Sequence, residues 1–270
     1  MPRIKALATD LDGTLIPLAD RKENIDDLKK LCALLHRHQM DLIFVTGRHF
    51  ESVMAAIDQH QLPRPECMLC DVGTTFWRRS PSGYEIDSVY TERLRQIASD
   101  MDQQQVAAAA AAIGSLKLQE REKQGMFKLS FYLDSSTLDV SVNRLKAKIQ
   151  QGRLPFDLVA SVDPFNGVGL LDILPKGVSK AFGLHWWCEQ TGLRHDQLIF
   201  AGDSGNDRAA LASSHKAIVV ANAPRTMAEE IIAYHKHQGT HDALYCSRQV
   251  ATSGVLEGLR HFLCQESEGG

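Results

Sequence analysis

Short, mostly apolar runs alternate with helix-like segments through the first part of the chain. Such runs at residues 4–9, 42–45 and 67–72 predict strands that are buried on both faces. Between them, residues 24–39 carry apolar side chains three and four positions apart, which predicts an amphipathic helix, and a second helix is predicted at 50–60. This β-α-β-α-β order is typical of a doubly wound parallel sheet.

The alternation stops at a turn-rich segment, Ser80-Pro81-Ser82-Gly83. The chain that follows combines long helical patterns with alternating strands, which is typical of an α+β unit. Its predicted elements are a long helix from about residue 91 through the alanine run 107–112, a strand at 127–133, a helix at 139–151, and strands at 158–162 and 169–174. Residues 81–173 are therefore predicted to form an inserted domain.

The original alternation resumes at Pro175. Its predicted elements are a helix through about residue 190, strands at 197–201, 216–220 and 243–246 with intervening helices, and a last helix from 253. The predicted fold is α/β: a doubly wound parallel sheet built from residues 1–80 and 174–270, with the α+β domain of residues 81–173 inserted into it.

The composition is that of an ordinary globular protein, with 44% hydrophobic and 23% charged residues among 270. The net charge of −3 and the pI near 6.4 argue against binding to nucleic acid or to anionic membranes. No apolar run reaches membrane-spanning length, and the chain begins on a strand rather than a signal peptide. A cytoplasmic protein is therefore expected.

The six cysteines lack the spacing of a disulfide framework, which is typical of a reducing compartment. Cys67 and Cys70 form a C-x-x-C pair, for which burial in a strand is favoured over a redox or zinc role. His235, His237 and His241 match no metal-ligand spacing. A loop at the surface or at the substrate rim is favoured for them over a metal site.

Two carboxylates, Asp10 and Asp12, stand where the first strand is expected to end. Residues two apart on an extended chain point the same way, so both acids can enter one pocket. A divalent cation with oxygen ligands relieves their mutual repulsion, and Mg2+ is the first choice. The alternative is a plain Asx-Gly turn at Asp12 and Gly13.

Polar residues also follow two other predicted strands: Thr46 with Gly47, and Asp203 with Asn206 and Asp207. Ligands of open parallel sheets bind beyond the carboxyl ends of the strands. These residues are therefore expected to meet the two carboxylates of the first strand at one site.

The residue types at this site assign the metal ligands. Asp10, Asp203 and the main-chain carbonyl of Asp12 are predicted to bind Mg2+. Asn206 and Asp207 are predicted to hold these ligands in orientation from behind.

The same reasoning assigns a phosphate site. The Thr46 hydroxyl and the Gly47 backbone N–H are available to phosphate oxygens. Lys180, near the start of a helix, is the predicted cation, and the helix N-terminus adds positive potential. Lys176 is the competing candidate.

Four segments resemble the four motifs of the haloacid dehalogenase superfamily, in order and at plausible separations. They are Asp-Leu-Asp-Gly-Thr at 10–14, Thr-Gly-Arg at 46–48, Lys180 in the segment 177–180, and Gly-Asp-Ser-Gly-Asn-Asp at 202–207. The match spans essentially the whole predicted core, and the insert is similar to the second class of cap domain in that superfamily. Segments that further resemble its sucrose-phosphatase branch are 72–74, 128–132, 171–175 and 254–258.

The resemblance implies a Mg2+-dependent phosphomonoester hydrolase. In such an enzyme Asp10 attacks phosphorus to form an aspartyl-phosphate, and Asp12 protonates the leaving oxygen and then takes a proton from water. Lys180 neutralises charge on the phosphoryl oxygens together with Mg2+.

The substrate implied by the resemblance is a phosphorylated disaccharide or glycoside similar to sucrose-6-phosphate, and a glycosyltransferase is a candidate functional partner. The first alternative is a phosphatase for another small phosphate, such as mannosyl-3-phosphoglycerate, trehalose-6-phosphate or a hexose phosphate. The second is a catalytically silent sugar-phosphate-binding domain, which would be expected to lose Asp10, Asp12 or Asp203.

The inserted domain is expected to cover the site and to contact the sugar. Lys128, Ser130 and Asp163 are its candidate substrate contacts, although solvated positions on a half-exposed sheet explain them equally well. Arg48 is expected either to orient the second loop or to pair with a neighbouring acid.

Overall fold

Two β-sheets organise the fold. A computed structural model describes residues 3–99, 103–111, 113–163 and 166–268. Its strands in chain order are β1 (Ala6–Thr9), β2 (Asp41–Val45), β3 (Cys67–Cys70), β4 (Thr75–Ser80), β5 (Gly83–Ile86), β6 (Lys117–Leu118), β7 (Leu129–Leu133), β8 (Phe156–Val162), β9 (Gly169–Pro175), β10 (Leu198–Gly202), β11 (Lys216–Val219) and β12 (Leu244–Cys246). The larger sheet has eight strands in the order β12-β11-β10-β1-β2-β3-β4-β5. The strands from β12 to β3 are parallel, and β4 and β5 add an antiparallel edge.

Helices cover both faces of the eight-stranded sheet. The helices in chain order are α1 (Lys22–His38), α2 (Phe50–His60), α3 (Ser88–Ile97), α4 (Gln103–Ala111), α5 (Leu138–Gly152), α6 (Lys180–Thr191), α7 (Arg208–Leu211), α8 (Arg225–Gln238) and α9 (Ala251–Glu268). Leu7 faces a cluster that contains Leu31 of α1, and its neighbour Ala8 faces a second cluster that contains Leu184 of α6. Successive strand residues therefore serve opposite cores, as the continuous apolar runs predicted. The predicted α/β class with a doubly wound parallel sheet is confirmed.

The second sheet has four strands in the order β6-β7-β9-β8, and all of its pairings are antiparallel. One face of this sheet packs against α4 and α5. On that face Phe131 and Leu171 share a hydrophobic cluster with Val106 and Leu145. Because side chains alternate along a strand, the residues between them face the opposite way. That second face is the one directed at the large sheet.

The small sheet lies directly on the loop that follows β10. A side chain at Gly205 would come within 2.2 Å of the carbonyl oxygen of Ala160 on β8. Only glycine permits this close approach of two backbones. The contact fixes the small sheet above the carboxyl ends of the parallel strands.

The start of the predicted insert needs correction. Residues 83–86 form β5, which pairs with β4 in the large sheet, although the sequence placed everything from residue 81 in the insert. The predicted long helix from residue 91 is also wrong, because α3 and α4 are separate helices. Tyr90 of α3 is buried in the core of the large sheet, which ties this helix to it. Ala112 of the alanine run lies outside the described residues.

The C-x-x-C pair is buried, as favoured from the sequence. Cys67 and Cys70 occupy opposite faces of β3 and pack into different cores. They therefore point away from each other and cannot share a disulfide or a metal ion. Burial raises the pKa of both thiols well above the usual value, which makes them poor nucleophiles.

The predicted histidine loop at 235–241 is wrong for His235 and His237, which both lie on α8, and His235 is also buried. Its Nε2 lies 2.9 Å from the carbonyl oxygen of Leu211, and its Nδ1 lies 3.0 Å from the Thr240 hydroxyl. His235 therefore closes the end of α8 and is not available at a substrate rim. No helix among the described residues is long and apolar enough to cross a membrane.

Thiol labelling tests the placement of the cysteines. In the native protein the exposed Cys246 and Cys264 are expected to react with a thiol reagent, whereas Cys67 and Cys70 react only after unfolding. Mass spectrometry of the labelled peptides measures this directly. A Cys246→Ser/Cys264→Ser variant, as a control, should keep at most a slow native reaction at the half-buried Cys32. Labelling of either β3 thiol in native protein would contradict the placement.

Candidate active site

Three loops meet at the carboxyl ends of neighbouring parallel strands. Asp10 follows β1, Thr46 follows β2 and Asp203 follows β10. Since the strand order is β10-β1-β2, these loops share one edge of the large sheet. The structure thus brings together the three groups of polar residues that the sequence assigned to one site.

A buried lysine connects two of these loops. Lys180 is the first residue of α6 and has no exposed surface. Its Nζ lies 2.7 Å from Oδ1 of Asp10 and 2.6 Å from Oδ1 of Asp207. Lys176, the competing candidate from the sequence, is exposed and lines a different cavity. The geometry therefore places Lys180 at the site.

The buried charged groups at this site shift one another's pKa. Burial lowers the pKa of Lys180, but the carboxylates of Asp10 and Asp207 outweigh this effect and raise it. Burial raises the pKa of Asp10 well above its usual value, with Lys180 opposing and the other acids adding to the rise. For Asp203, burial and the neighbouring Asp207 raise the pKa to about 7. A further cation among these acids would relieve their repulsion.

Asp203 is held by residues that the sequence analysis did not select. Its Oδ1 accepts a hydrogen bond of 2.8 Å from the Thr14 hydroxyl, and its Oδ2 accepts one of 3.2 Å from Nδ2 of Asn222. Gly13, at φ +76°, leaves room for this carboxylate, because a Cβ there would lie 2.3 Å from Oδ2. Thr14 belongs to the first motif and was within reach of sequence reasoning. Asn222 follows β11 and belongs to no motif that the sequence analysis identified, so only the fold shows that it lies beside Asp203.

Asp207 orients the loop around Asp203. Its Oδ2 accepts hydrogen bonds from the backbone N–H groups of Asp203 at 3.0 Å and Ser204 at 2.9 Å, while its Oδ1 receives Lys180. Asn206 accepts a hydrogen bond of 3.1 Å from the Ser204 hydroxyl and borders the pocket. Both contacts agree with an orienting role for these residues.

Asp12 is held apart from the other acids. Arg48 donates two hydrogen bonds to it from the guanidinium, Nε to Oδ2 at 2.7 Å and Nη2 to Oδ1 at 2.6 Å. The hydrogen bond with Asp12 is the largest cause of the raised pKa of Arg48. Of the two roles open for Arg48, the structure favours pairing with a neighbouring acid. The backbone N–H of Arg48 also donates to the Thr46 hydroxyl at 3.2 Å.

The carboxylates suit a hard divalent cation. One oxygen atom each from Asp10, Asp203 and Asp207 lies within 4.8 Å of the others. Oxygen donors and excess negative charge are the ligand set that Mg2+ prefers. The Asp12 carboxylate lies outside this cluster and is bound by Arg48. The main-chain ligand role expected for Asp12 stays a prediction.

A cavity of about 310 Å³ opens between this site and the small sheet. Its floor is formed by the loops of the large sheet, and its roof carries polar residues of the small sheet: Gln119, Lys123, Lys128, Tyr132, Ser161 and Asp172. Asp163 also lines it, beside Asp10, Asp12, Thr46, Gly47 and Asn206. This volume is within the range of small-molecule sites, about 300–1,000 Å³.

Two of the predicted substrate contacts prove to be buried rather than solvated. Lys128 is 5% exposed, and its Nζ lies 3.1 Å from Oδ1 of Asp71 and 3.5 Å from the carbonyl oxygen of Gly47. Ser130 is fully buried, and its hydroxyl donates to Asp172. The alternative of solvated sheet positions is therefore wrong for both residues.

The turn that contains Asp71, the ion-pair partner of Lys128, has an unusual backbone conformation. Asp71 and Val72 have φ values of +54° and +60°, followed by Gly73 at +89°. A β-branched residue rarely adopts such a conformation, and strain of this kind is concentrated at functional sites. The turn ends β3 two residues earlier than the apolar run predicted.

Most of the chain matches a known family. Residues 3–263 match the family model described as sucrose-6F-phosphate phosphohydrolase. The chain belongs to this family. A putative HAD-like hydrolase from Nitrosococcus oceani is 33% identical over 95% of this chain and 71% of its own length. A mannosylfructose-phosphate phosphatase from Agrobacterium fabrum is 28% identical over 97% of this chain and 98% of its own length.

The fold has a close counterpart among solved structures. A sucrose-phosphatase from Synechocystis sp. PCC6803, crystallised with sucrose and phosphate, superposes with a TM-score of 0.78 over 97% of this chain and 98% of that chain, at 24% identity. The predicted membership of the haloacid dehalogenase superfamily and of its sucrose-phosphatase branch is confirmed. As a member of the sucrose-6F-phosphate phosphohydrolase family, the protein is a phosphatase.

Substitution tests the bidentate contact between Arg48 and Asp12. Arg48→Ala should lower kcat/KM by about 10- to 100-fold, because the Asp12 carboxylate loses the partner that positions it. Steady-state phosphate release measures the effect. Arg64→Ala, which removes an exposed arginine 3.9 Å from Asp58, is the matched control and should be neutral. Equal activity in both variants would contradict a positioning role for Arg48.

Proposed function

We propose that this protein is a Mg2+-dependent phosphatase that hydrolyses a phosphomonoester of a disaccharide or similar glycoside. The observation that carries the proposal is the buried Asp10–Lys180–Asp207 network, which stands beside Asp203 at the floor of a polar cavity. A nucleophile, a cation and a group of acids at one strand edge are the parts that phosphoryl transfer requires.

The proposed reaction has two displacements at phosphorus. In the first, an oxygen of Asp10 bonds to phosphorus, the bond to the sugar oxygen breaks, and Asp12 gives that oxygen a proton. In the second, water attacks the aspartyl-phosphate, Asp12 takes a proton from the water, and inorganic phosphate leaves while Asp10 is regenerated. Lys180 stabilises the negative charge on the phosphoryl oxygens in both steps.

Arg48 enters this scheme through its ion pair with Asp12. Both oxygen atoms of the Asp12 carboxylate are occupied by the guanidinium, at 2.7 and 2.6 Å. At least one of them must therefore leave Arg48 before Asp12 can reach the leaving oxygen of the substrate. Binding of a substrate phosphate in the cavity that both residues line is the event proposed to separate them.

Mg2+ is proposed to bind Asp10, Asp203 and the main-chain carbonyl of Asp12, where it would neutralise charge on the phosphoryl group. Thr14 and Asn222 hold the Asp203 carboxylate, and Asp207 holds the loop that carries it. The proposed phosphate contacts are the Thr46 hydroxyl and the Gly47 backbone N–H, together with Lys180.

The sugar is proposed to bind under the small sheet. Asp172 and Tyr132 line the cavity, since Phe131 and Leu171 face the opposite core. Ser130 is fully buried and donates a hydrogen bond to Asp172. Hydroxyl and carboxylate groups in such a roof suit the hydroxyl groups of a sugar. A relative that is a mannosylfructose-phosphate phosphatase also supports a disaccharide.

Two further expectations follow from the proposed substrate. A phosphorylated disaccharide is made by a glycosyltransferase reaction, so functional pairing with such an enzyme is proposed. Phosphorylated sugars do not cross membranes unaided, which supports a cytoplasmic site of action. Neither nucleic acid nor a membrane is proposed as a partner.

Replacement of the proposed nucleophile tests the chemistry. Asp10→Asn should abolish phosphate release, by more than about 1,000-fold, while the thermal unfolding midpoint stays near that of the wild type or rises. Asp242→Asn, at an exposed acid, is the control and should keep full activity. Phosphate release from Asp10→Asn at an unchanged rate would refute the assignment.

A substrate panel assayed with Mg2+ identifies the sugar. It contains sucrose-6-phosphate, mannosylfructose-phosphate, trehalose-6-phosphate, mannosyl-3-phosphoglycerate and simple hexose phosphates. Strong preference for one disaccharide phosphate is expected. Preference for another member would select one of the alternative small phosphates, and no release from any member would favour the silent binding domain.

A variant of the roof separates sugar recognition from chemistry. Asp172→Asn should raise KM for the preferred sugar phosphate by about 10-fold, because one hydrogen-bond acceptor becomes a donor. Hydrolysis of p-nitrophenyl phosphate, which has no sugar, should change by less than about 2-fold. Asp139→Asn, on the exposed side of α5, is the matched control. A parallel loss with both substrates would place Asp172 in the chemistry instead.

A further inference from the structure

Three histidines from separate elements converge far from the phosphatase site. His185 lies on α6, His195 precedes β10 and His215 immediately precedes β11. Both strands run parallel, with their carboxyl ends toward the cavity described above. Residues that precede these strands therefore lie at the opposite edge of the large sheet.

The three rings are close enough to share an ion. One nitrogen atom from each ring lies within 4.8 Å of the other two. The ring centroids of His185 and His195 are 4.8 Å apart, and those of His185 and His215 are 6.0 Å apart. Tetrahedral ligands at zinc–nitrogen distances of about 2.0–2.1 Å would be roughly 3.4 Å from one another. Small rotations of the rings are sufficient to reach that spacing.

The cluster contains buried nitrogen atoms that lack partners. His215 is fully buried, and neither of its ring nitrogens makes a hydrogen bond to the described residues. Burial lowers the pKa of His215, and the backbone of Ala210 opposes this effect without outweighing it. Nδ1 of His195 is also buried without a partner among the described residues. Buried polar groups are normally satisfied, so these atoms point to a missing ligand.

The lowered pKa of two of the rings favours neutral imidazole, which binds a metal ion rather than an anion. Burial lowers the pKa of His215 to about 3, and burial also lowers the pKa of His185. Neutral imidazole has the free electron pair that a metal needs. Nε2 of His185 lies 2.8 Å from the Ser213 hydroxyl, which fixes the ring as outer hydrogen bonds do in metal sites. Among the described residues, Nδ1 of His185 has no hydrogen bond.

We propose that His185, His195 and His215 form a binding site for one divalent transition-metal ion, with Zn2+ as the expected ion. Three imidazole nitrogens with an open fourth position favour Zn2+ and its neighbours over Mg2+, which prefers oxygen. The site is independent of the phosphatase function proposed above.

The proposed ion would join three elements that support the phosphatase site from behind. α6 begins at Lys180, β10 leads to Asp203 and β11 leads toward Asn222. A shared ion at the far ends of these elements would restrain their relative positions and raise the free energy of unfolding. Its effect on activity would be indirect.

Competitive metal titration tests the proposal. Protein stripped of metal and supplied with excess Mg2+ is titrated with Zn2+ against a chromophoric chelator. One saturable Zn2+ site per chain is expected, and the unfolding midpoint should rise by about 5 °C when Zn2+ is at 100 times its Kd. Co2+ in place of Zn2+ should give the visible absorption of a tetrahedral nitrogen site.

Variants locate the ion. His195→Gln and His185→Gln are each expected to weaken Zn2+ binding by about 100-fold. Both positions are half-buried and should tolerate the change. His237→Gln, at an exposed histidine of α8, is the matched control and should bind normally. Asp203→Asn should also keep the site, which excludes the carboxylate cluster.

Three outcomes would overturn the proposal. They are the absence of a saturable site in the wild type, equal affinity in His195→Gln, His185→Gln and wild type, or loss of the site in Asp203→Asn. The last result would assign the ion to the phosphatase site instead.

Discussion

The ammonium group of Lys180, which has no contact with solvent, is the constraint on which the site depends. A buried charge is tolerated only when it is paired, and here the pairs are Asp10 at the end of β1 and Asp207 in the loop after β10. The lysine itself begins α6. Three chain segments distant in sequence are therefore held at one point by a single cation, and only the removal of both acids would leave this buried charge without a partner.

The rest of the site is arranged around that point. Asp207 uses its second oxygen to hold the backbone beside Asp203, and Thr14 and Asn222 hold the Asp203 carboxylate. A second buried ion pair, between Lys128 of the small sheet and Asp71 of the large sheet, connects the roof to the floor. The roof is thus positioned by charge as well as by the close approach of β8, so that its polar face is directed at the phosphoryl site.

The sequence predicted those features that depend on local patterns. The parallel strands, the loops at Asp10, Thr46 and Asp203, and the choice of Lys180 follow from apolar runs and from motif spacing. β5 was missed because a short, half-exposed edge strand has no apolar run to reveal it. Asn222 and the three clustered histidines were missed for a different reason: they are far apart along the chain, and only the strand order brings them to their partners.

The stereochemical course at phosphorus tests the central claim, that Asp10 attacks the phosphoryl group, most directly. A thiophosphate substrate whose phosphorus is made chiral with sulfur and oxygen isotopes is hydrolysed in water that carries the remaining oxygen isotope, and the configuration of the released thiophosphate is determined. The account predicts net retention, because two successive in-line displacements each invert the centre. Net inversion would mean that water attacks the substrate directly, and would contradict the role assigned to Asp10.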